Sequence, residues 1–105
     1  MAKIKNCDFF LHDGKKHYRY KNPDGSLGGW VLKKAKIGKN VMINEEVVVS
    51  GEAVIEDDVA LFGKILIKGK TVVRSGSLIK SNARGDIYLL IKNQIISNSI
   101  LEFWP

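Results

Sequence analysis

Residues able to do chemistry are few in this chain, and they are scattered. It has two histidines, His12 and His17, and one cysteine, Cys7. Zinc sites gather His and Cys at ligand spacing. These three residues form no such cluster, so neither a metal nor a cofactor is expected. Ser75, Ser77 and Ser81 lie far along the chain from both histidines, so activation of a serine by a nearby base has no support. The histidines read instead as surface residues of a hairpin. Cys7 follows Lys3 and Lys5, a basic setting of the kind that favours a thiolate; a small, partly buried structural residue is the plainer reading. Glu56-Asp57-Asp58 suits either a cation or a solvated corner. Arg84-Gly85-Asp86 spells an adhesive tripeptide but reads as a turn. No phosphate loop or dinucleotide fingerprint occurs. The chain is expected not to be an enzyme.

The remaining chemical signal is charge. The net charge is +6, and it is banded. Residues 1–40 hold ten Lys/Arg against three acids, residues 41–63 hold six acids and no Lys or Arg, and residues 64–105 hold seven Lys/Arg against two acids. Such banding suits an anionic partner or charge-matched self-association, and it equally suits a plain solubilising surface. The candidate anion-binding residues are Lys64, Lys68, Lys70, Arg74, Lys80 and Arg84. At the N-terminus, Lys15, Lys16, Arg19, Lys21, Lys33, Lys34, Lys36 and Lys39 accompany Tyr18, Tyr20 and Trp30. Aromatics interleaved with cations stack bases and neutralise phosphates, although aromatic capping explains the same residues. No nucleic-acid-binding motif accompanies the charge.

A repeat with a period of six positions these groups. Ile37, Ile43, Val49, Ile55, Leu61, Ile67, Val73 and Ile79 are all large aliphatics. Two residues before each lie Ala35, Val41, Val47, Ala53, Val59, Ile65, Thr71 and Ser77, all small or β-branched. Between these pairs come turn formers such as Gly38-Lys39-Asn40, Ser50-Gly51-Glu52 and Lys68-Gly69-Lys70. Alternate side chains of a strand share a face, so both members of each pair point inward and the residue between them points out. A bend after each short strand closes a coil, and stacked coils turn the inward columns into one core. A period of six holds no helical face. The expected fold is all-β, a short parallel β-helix or β-solenoid.

The pattern resembles the hexapeptide-repeat family, whose members are triangular left-handed parallel β-helices. The units AKIGKN, VMINEE, VVVSGE, AVIEDD, VALFGK, ILIKGK, TVVRSG and SLIKSN cover residues 35–82. Leu27-Gly28-Gly29-Trp30-Val31 looks more narrowly like small bacterial and phage-encoded hexapeptide-repeat proteins, in which an LGGW segment leads from a hairpin into the first coil. A competing resemblance is to bactofilin-like polymer-forming proteins, but the crisp six-residue register favours the first. The resemblance implies the left hand and a trimer with parallel axes, whereas the spacing itself asks only for closed symmetry. Acyltransferases of this superfamily use a coil-borne histidine as base, and its carbonic anhydrases hold zinc with three. Residues 35–82 contain no histidine, so neither activity is implied.

The ends read as caps on a single domain, with 1–34 a hairpin cap, 35–82 the solenoid and 83–105 capping strands. Phe9-Phe10-Leu11 and His17-Tyr18-Arg19-Tyr20 flank an Asp13-Gly14 hairpin signal, and Pro23-Asp24-Gly25 marks a second turn. Phe9, Phe10, Tyr18, Tyr20 and Trp30 are expected to cover the first coil, because solenoid ends need covering. Ala83-Arg84-Gly85-Asp86 interrupts the hexads. Residues 87–91 and 95–96 read as strands, and the apolar tail 99–105 is expected to dock on its own last coil or on a neighbouring subunit.

No run of 18 apolar residues occurs, so no membrane span is expected. The N-terminus lacks the apolar core of a signal peptide. A lone cysteine fits a reducing cytoplasm, the host's if the chain is phage-encoded. The outward residues Met42, Val48, Val54, Ala60, Leu66, Val72 and Leu78 are all apolar; only Lys36 is charged. Extensive apolar surface marks interfaces, although β-propensity alone also favours valine here. Met42, Val48, Val54, Leu66, Val72 and Leu78 are therefore the candidate oligomer interface. The function expected is that of a non-enzymatic oligomeric binding or scaffold protein. The alternative is an anion-binding module for nucleotide, nucleic acid or an acidic protein surface, such as a phage counter-defence protein that sequesters a signal or blocks a host complex.

Overall fold

The structure is a computed structural model that describes residues 9–104 apart from Asp13 and Asp86, with the strand backbone alone for Phe9–His12. β1 (Phe9–His12) and β2 (Lys15–Lys21) form an antiparallel hairpin with His12 opposite Lys15 and Phe9 opposite Tyr18. Gly14 at its tip has a φ of 74°, the left-handed backbone that a two-residue hairpin loop requires. A turn over Pro23–Gly25, closed by the Gly25 N–H donating to the Asn22 carbonyl at 2.9 Å, brings β3 (Leu27–Leu32) back antiparallel to β2.

Beyond β3 every pairing is parallel. The first sheet continues from β3 through β6 (Val47–Val49), β9 (Ile65–Lys68) and β12 (Leu89–Lys92). The second stacks β4 (Lys36–Ile37), β7 (Val54–Ile55), β10 (Val72–Val73) and β13 (Ile95–Ile96). The third stacks β5 (Met42–Ile43), β8 (Ala60–Phe62), β11 (Leu78–Ser81) and β14 (Ile100–Phe103). The chain thus visits three sheets in rotation and makes a β-solenoid of about four turns. No helix occurs among the described residues.

The hexads set the register. Trp30 pairs with Val48 and Val48 with Leu66, a step of 18 residues, or three hexads. Both inward positions of each hexad are buried from Val41 onward, with Ile43, Val47, Val49, Leu61, Ile65, Ile67, Val73 and Ile79 all at 0% exposure; the first pair, Ala35 and Ile37, is half-buried at the end of the stack. The inward hydroxyls are satisfied, as buried polar groups must be: Thr71 Oγ1 donates to the Lys68 carbonyl at 2.8 Å and Ser77 Oγ to the Ser97 carbonyl at 3.2 Å.

The corners stack as regularly as the strands. Asn40, Asp58 and Gly76 occupy equivalent places and all have positive φ, as do Gly51, Gly69 and Asn93. Asparagine and aspartate enter this region more readily than other side chains, which is why they alternate with glycine in those columns. The same corners are tied across coils: Asp57 Oδ1 accepts from the Lys39 N–H at 2.8 Å and Asn93 Oδ1 from the Lys70 N–H at 2.9 Å.

The fourth turn departs from the hexads. Leu66 pairs with Leu90, a step of 24; Val72 with Ile95, a step of 23; and Leu78 with Ile100, a step of 22. One corner, over residues 83–88, therefore carries six additional residues, and each of the next two is one residue shorter. The tail is not left for a neighbour. β14 pairs in cis with β11 from Leu78↔Ile100 to Ser81↔Phe103, and Asn82 Nδ2 donates to the Phe103 carbonyl at 3.2 Å.

The N-terminal end is closed by specific contacts. β2 and β1 extend the first sheet. Asn22 acts as a surrogate strand for β5, the outermost strand of the third sheet. Its Oδ1 accepts from the Ile43 N–H at 2.8 Å and its Nδ2 donates to the Ile43 carbonyl at 3.2 Å. The Tyr20 hydroxyl donates to the Val41 carbonyl at 2.9 Å. The two glycines of the LGGW segment allow this closure, because a Cβ on Gly28 would strike the Ile43 carbonyl and one on Gly29 the Val47 carbonyl. His17 corrects the expectation of a surface residue. It is fully buried, with Nδ1 at 3.0 Å from the Lys15 carbonyl oxygen. Its strand partner Leu32 is also buried, while Lys15, Lys16, Tyr18 and Arg19 around it stay exposed. The side chains of Phe9, Phe10 and His12, together with Cys7 and Asp86, lie outside the described residues.

Candidate interaction surfaces

Strand alternation and the 18-residue step place the outward side chains in three ladders. The first runs Trp30, Val48, Leu66, Leu90; the second Lys36, Val54, Val72, Ile95; the third Met42, Ala60, Leu78, Ile100. The six candidate interface residues, Met42, Val48, Val54, Leu66, Val72 and Leu78, are each half-buried and lie in these continuous rows. Exposure rises toward the last turn, to 54% at Leu90, 65% at Ile95 and 79% at Ile100. At the other end of the first ladder the Arg19 guanidinium lies over the Trp30 ring, 4.9 Å from its centroid, a cation–π contact that also covers the indole.

The six candidate anion-binding cations are spread over all three corners. Lys64 and Arg84 lie in the corner between the third and first sheets, and Lys80 lies within β11 just before it. Lys68 and Lys70 bracket Gly69 between the first and second, and Arg74 lies one corner further on. Lys64 is engaged locally, with Nζ 3.7 Å from Glu46 Oε2 and 4.9 Å from the centroid of the Tyr88 ring. Lys70, Arg74, Lys80 and Arg84 are exposed. The acidic corner has a structural use: besides the Asp57 contact, Glu56 Oε1 accepts from the Ser75 N–H at 3.1 Å.

A groove of about 410 Å³ opens at the N-terminal end, lined by Tyr18, Arg19, Tyr20, Val31, Lys33 and Ala35 among others. Burial pushes the Tyr20 phenol above its ordinary pKa, keeping the proton that bonds the Val41 carbonyl. Across the nearby turn, hydrogen bonds from the Ser26 hydroxyl and N–H hold the Asp24 carboxyl below the usual carboxylate range. Sequence reasoning passed over Asn22, because a side chain that pairs with a backbone twenty-one residues away carries no local pattern.

No protein-family model matches the chain, and neither the curated proteins nor the solved structures contain a match. No helix among the described residues is long and apolar enough to cross a membrane.

Proposed function

We propose that this chain is a non-enzymatic oligomeric binding or scaffold protein, built on a left-handed β-helix of the hexapeptide-repeat kind. The observation that carries this reading is the set of three outward ladders, in which eleven of twelve rungs are apolar and Lys36 is the exception. Apolar surface in contiguous rows is what subunit interfaces are made of. A small domain also gains burial from association that its own core cannot supply. Closed symmetry with parallel solenoid axes, a trimer first of all, buries two different patches of each subunit against its neighbours and leaves the rest of the ladders for a partner. The setting proposed is a reducing cytoplasm, the host's for a phage-encoded chain. Native mass measurement of the purified protein tests the reading, because it gives the number of chains and the mass of anything bound to them.

A second reading, an anion-binding module for nucleotide, nucleic acid or an acidic protein surface, draws support from the exposed corner cations and the Tyr18–Arg19–Tyr20 groove. In a phage setting such a module would serve counter-defence by sequestering a signal or blocking a host complex. Replacing Lys68, Lys70 and Arg74 together by Ser is then expected to weaken binding of a polyanion and flatten its salt dependence, because fewer counterions are released. Unchanged affinity across a salt titration returns these cations to a solubilising role.

A further inference from the structure

Each corner of the solenoid stacks on its equivalents, so charged residues fall into three columns, one along each edge between sheets. The edge between the first and second sheets carries Lys33 and Lys34, then Glu52, then Lys70. The edge between the second and third carries Lys39, then Glu56, Asp57 and Asp58, then Arg74. The edge between the third and first carries Glu45 and Glu46, then Lys64, then Arg84. The first two columns alternate in phase. The last is out of phase with them over its first two turns. Lys39, Glu45, Glu52 and Asp58 are all exposed, and none of the four has an ion pair among the described residues.

We propose that copies of this chain meet edge to edge, with the third sheet of each turned toward the symmetry axis. The edge between the second and third sheets then lies against the next copy's edge between the third and first. This contact rests on the lateral association proposed above and names its surface. Closed rotation about an axis parallel to the solenoid leaves every residue at its own height. Whichever sheet faces the axis, the corner before it on one copy meets the corner after it on the next. Those two corners differ in height by a third of a turn, about 1.6 Å, which is less than the strand spacing.

Charge selects the sheet. With the third sheet inward, Lys39 meets Glu45 and Glu46 of the neighbour. One turn on, Asp58 meets the neighbour's Lys64, whose Nζ also lies 3.7 Å from Glu46 of its own chain. On the following turn Arg74 approaches Lys80, a like pair, but Glu102 is in register with Lys80 and sets an opposite charge beside it. With the first sheet inward, Glu45 and Glu46 meet Glu52, and Lys64 meets Lys70. With the second sheet inward, Lys33 and Lys34 meet Lys39, and Glu52 meets Asp57 and Asp58. Both alternatives set like charges together at each of these heights, which suppresses them as modes of association. The third ladder lies between the two selected edges and carries no charge, whereas the second holds Lys36. The first ladder begins at one of the selected edges and flanks the contact.

The test is a charge exchange read by sedimentation equilibrium at low ionic strength, where exposed charges are least screened. Lys39→Glu alone and Glu45→Lys alone each set like charges across every contact. Each is expected to weaken association about tenfold, as exposed pairs turn from attraction to repulsion. The K39E/E45K double variant restores opposite signs and should recover the wild-type mass. Glu52→Lys makes the same change of charge as Glu45→Lys, but on the edge left out of the contact, and should keep the wild-type mass. The Lys39 N–H bonds Asp57 of its own chain, so circular dichroism checks the fold of each variant. The double variant carries the same Lys39→Glu change, so its recovery isolates the contact between copies. Single variants that keep the wild-type mass overturn the proposal while the oligomer itself stands. So does a double variant that fails to recover it, or a Glu52→Lys variant as weak as Glu45→Lys. A monomeric wild type overturns the lateral association, and this contact with it.

Discussion

At the residue scale, a few side chains stand in for backbone. Asn22 gives the Ile43 N–H and carbonyl the partners that another strand would give, and it is itself 6% exposed. Truncating it leaves both groups unmatched in a place with little water, at about 1–3 kcal/mol for a buried unsatisfied group. Asn22→Ala is therefore expected to lower the urea midpoint by that free energy without a change in slope. Asn22→Asp, which keeps the acceptor for the Ile43 N–H but turns a buried carboxylate oxygen on the Ile43 carbonyl, should be at least as destabilising at neutral pH. A variant as stable as wild type would show that the hairpin alone closes this end. Asn22 was not legible in the sequence. Nor was the burial of His17: its setting follows from tertiary cover, and the Lys15–Lys21 segment reads as an ordinary polar strand. The glycines of Leu27-Gly28-Gly29-Trp30 were visible as a motif, but their reason, two carbonyls against the chain, appears only in the folded structure.

At the scale of the elements, the hexads were legible because each short strand buries the same two positions and each corner uses the same left-handed backbone. Leu61 expresses that rule most plainly. It is fully buried and lies in register with Ile43 and Ile79 on the adjacent turns. Leu61→Ala is expected to destabilise the fold by about 2–5 kcal/mol, as for other leucines truncated within a core. Calorimetric or chemical unfolding measures this, and a change below about 0.5 kcal/mol would remove Leu61 from the core. The fourth turn was harder to read. Six residues inserted at one corner and one removed from each of the next two break a strict period, although Ile91, Ile96 and Leu101 still follow one another at steps of five. Expecting strands at 87–91 and 95–96 came close to β12 and β13. Their stacking as another complete turn depends on a corner length that no local propensity sets.

At the scale of the whole molecule, the account rests on surfaces that a solitary chain leaves wet. The outward alternation was plain from the repeat, since a residue between two inward ones has one direction left. The union of the outward residues with Trp30, Leu90, Ile95 and Ile100 into rows needed the observed register. Glutamate at Val48 and Leu66 puts two carboxylates in the middle of the first ladder, where burial without partners is strongly unfavourable. Because both positions face outward, the fold should persist while lateral assembly is lost. The most direct measurement is the native mass of the wild-type protein, taken at high micromolar concentration and near-physiological salt beside that of the Val48→Glu/Leu66→Glu variant. The account predicts a discrete closed oligomer for the wild type and a smaller, still folded species for the variant. A wild-type protein that remains a monomer under those conditions would contradict it.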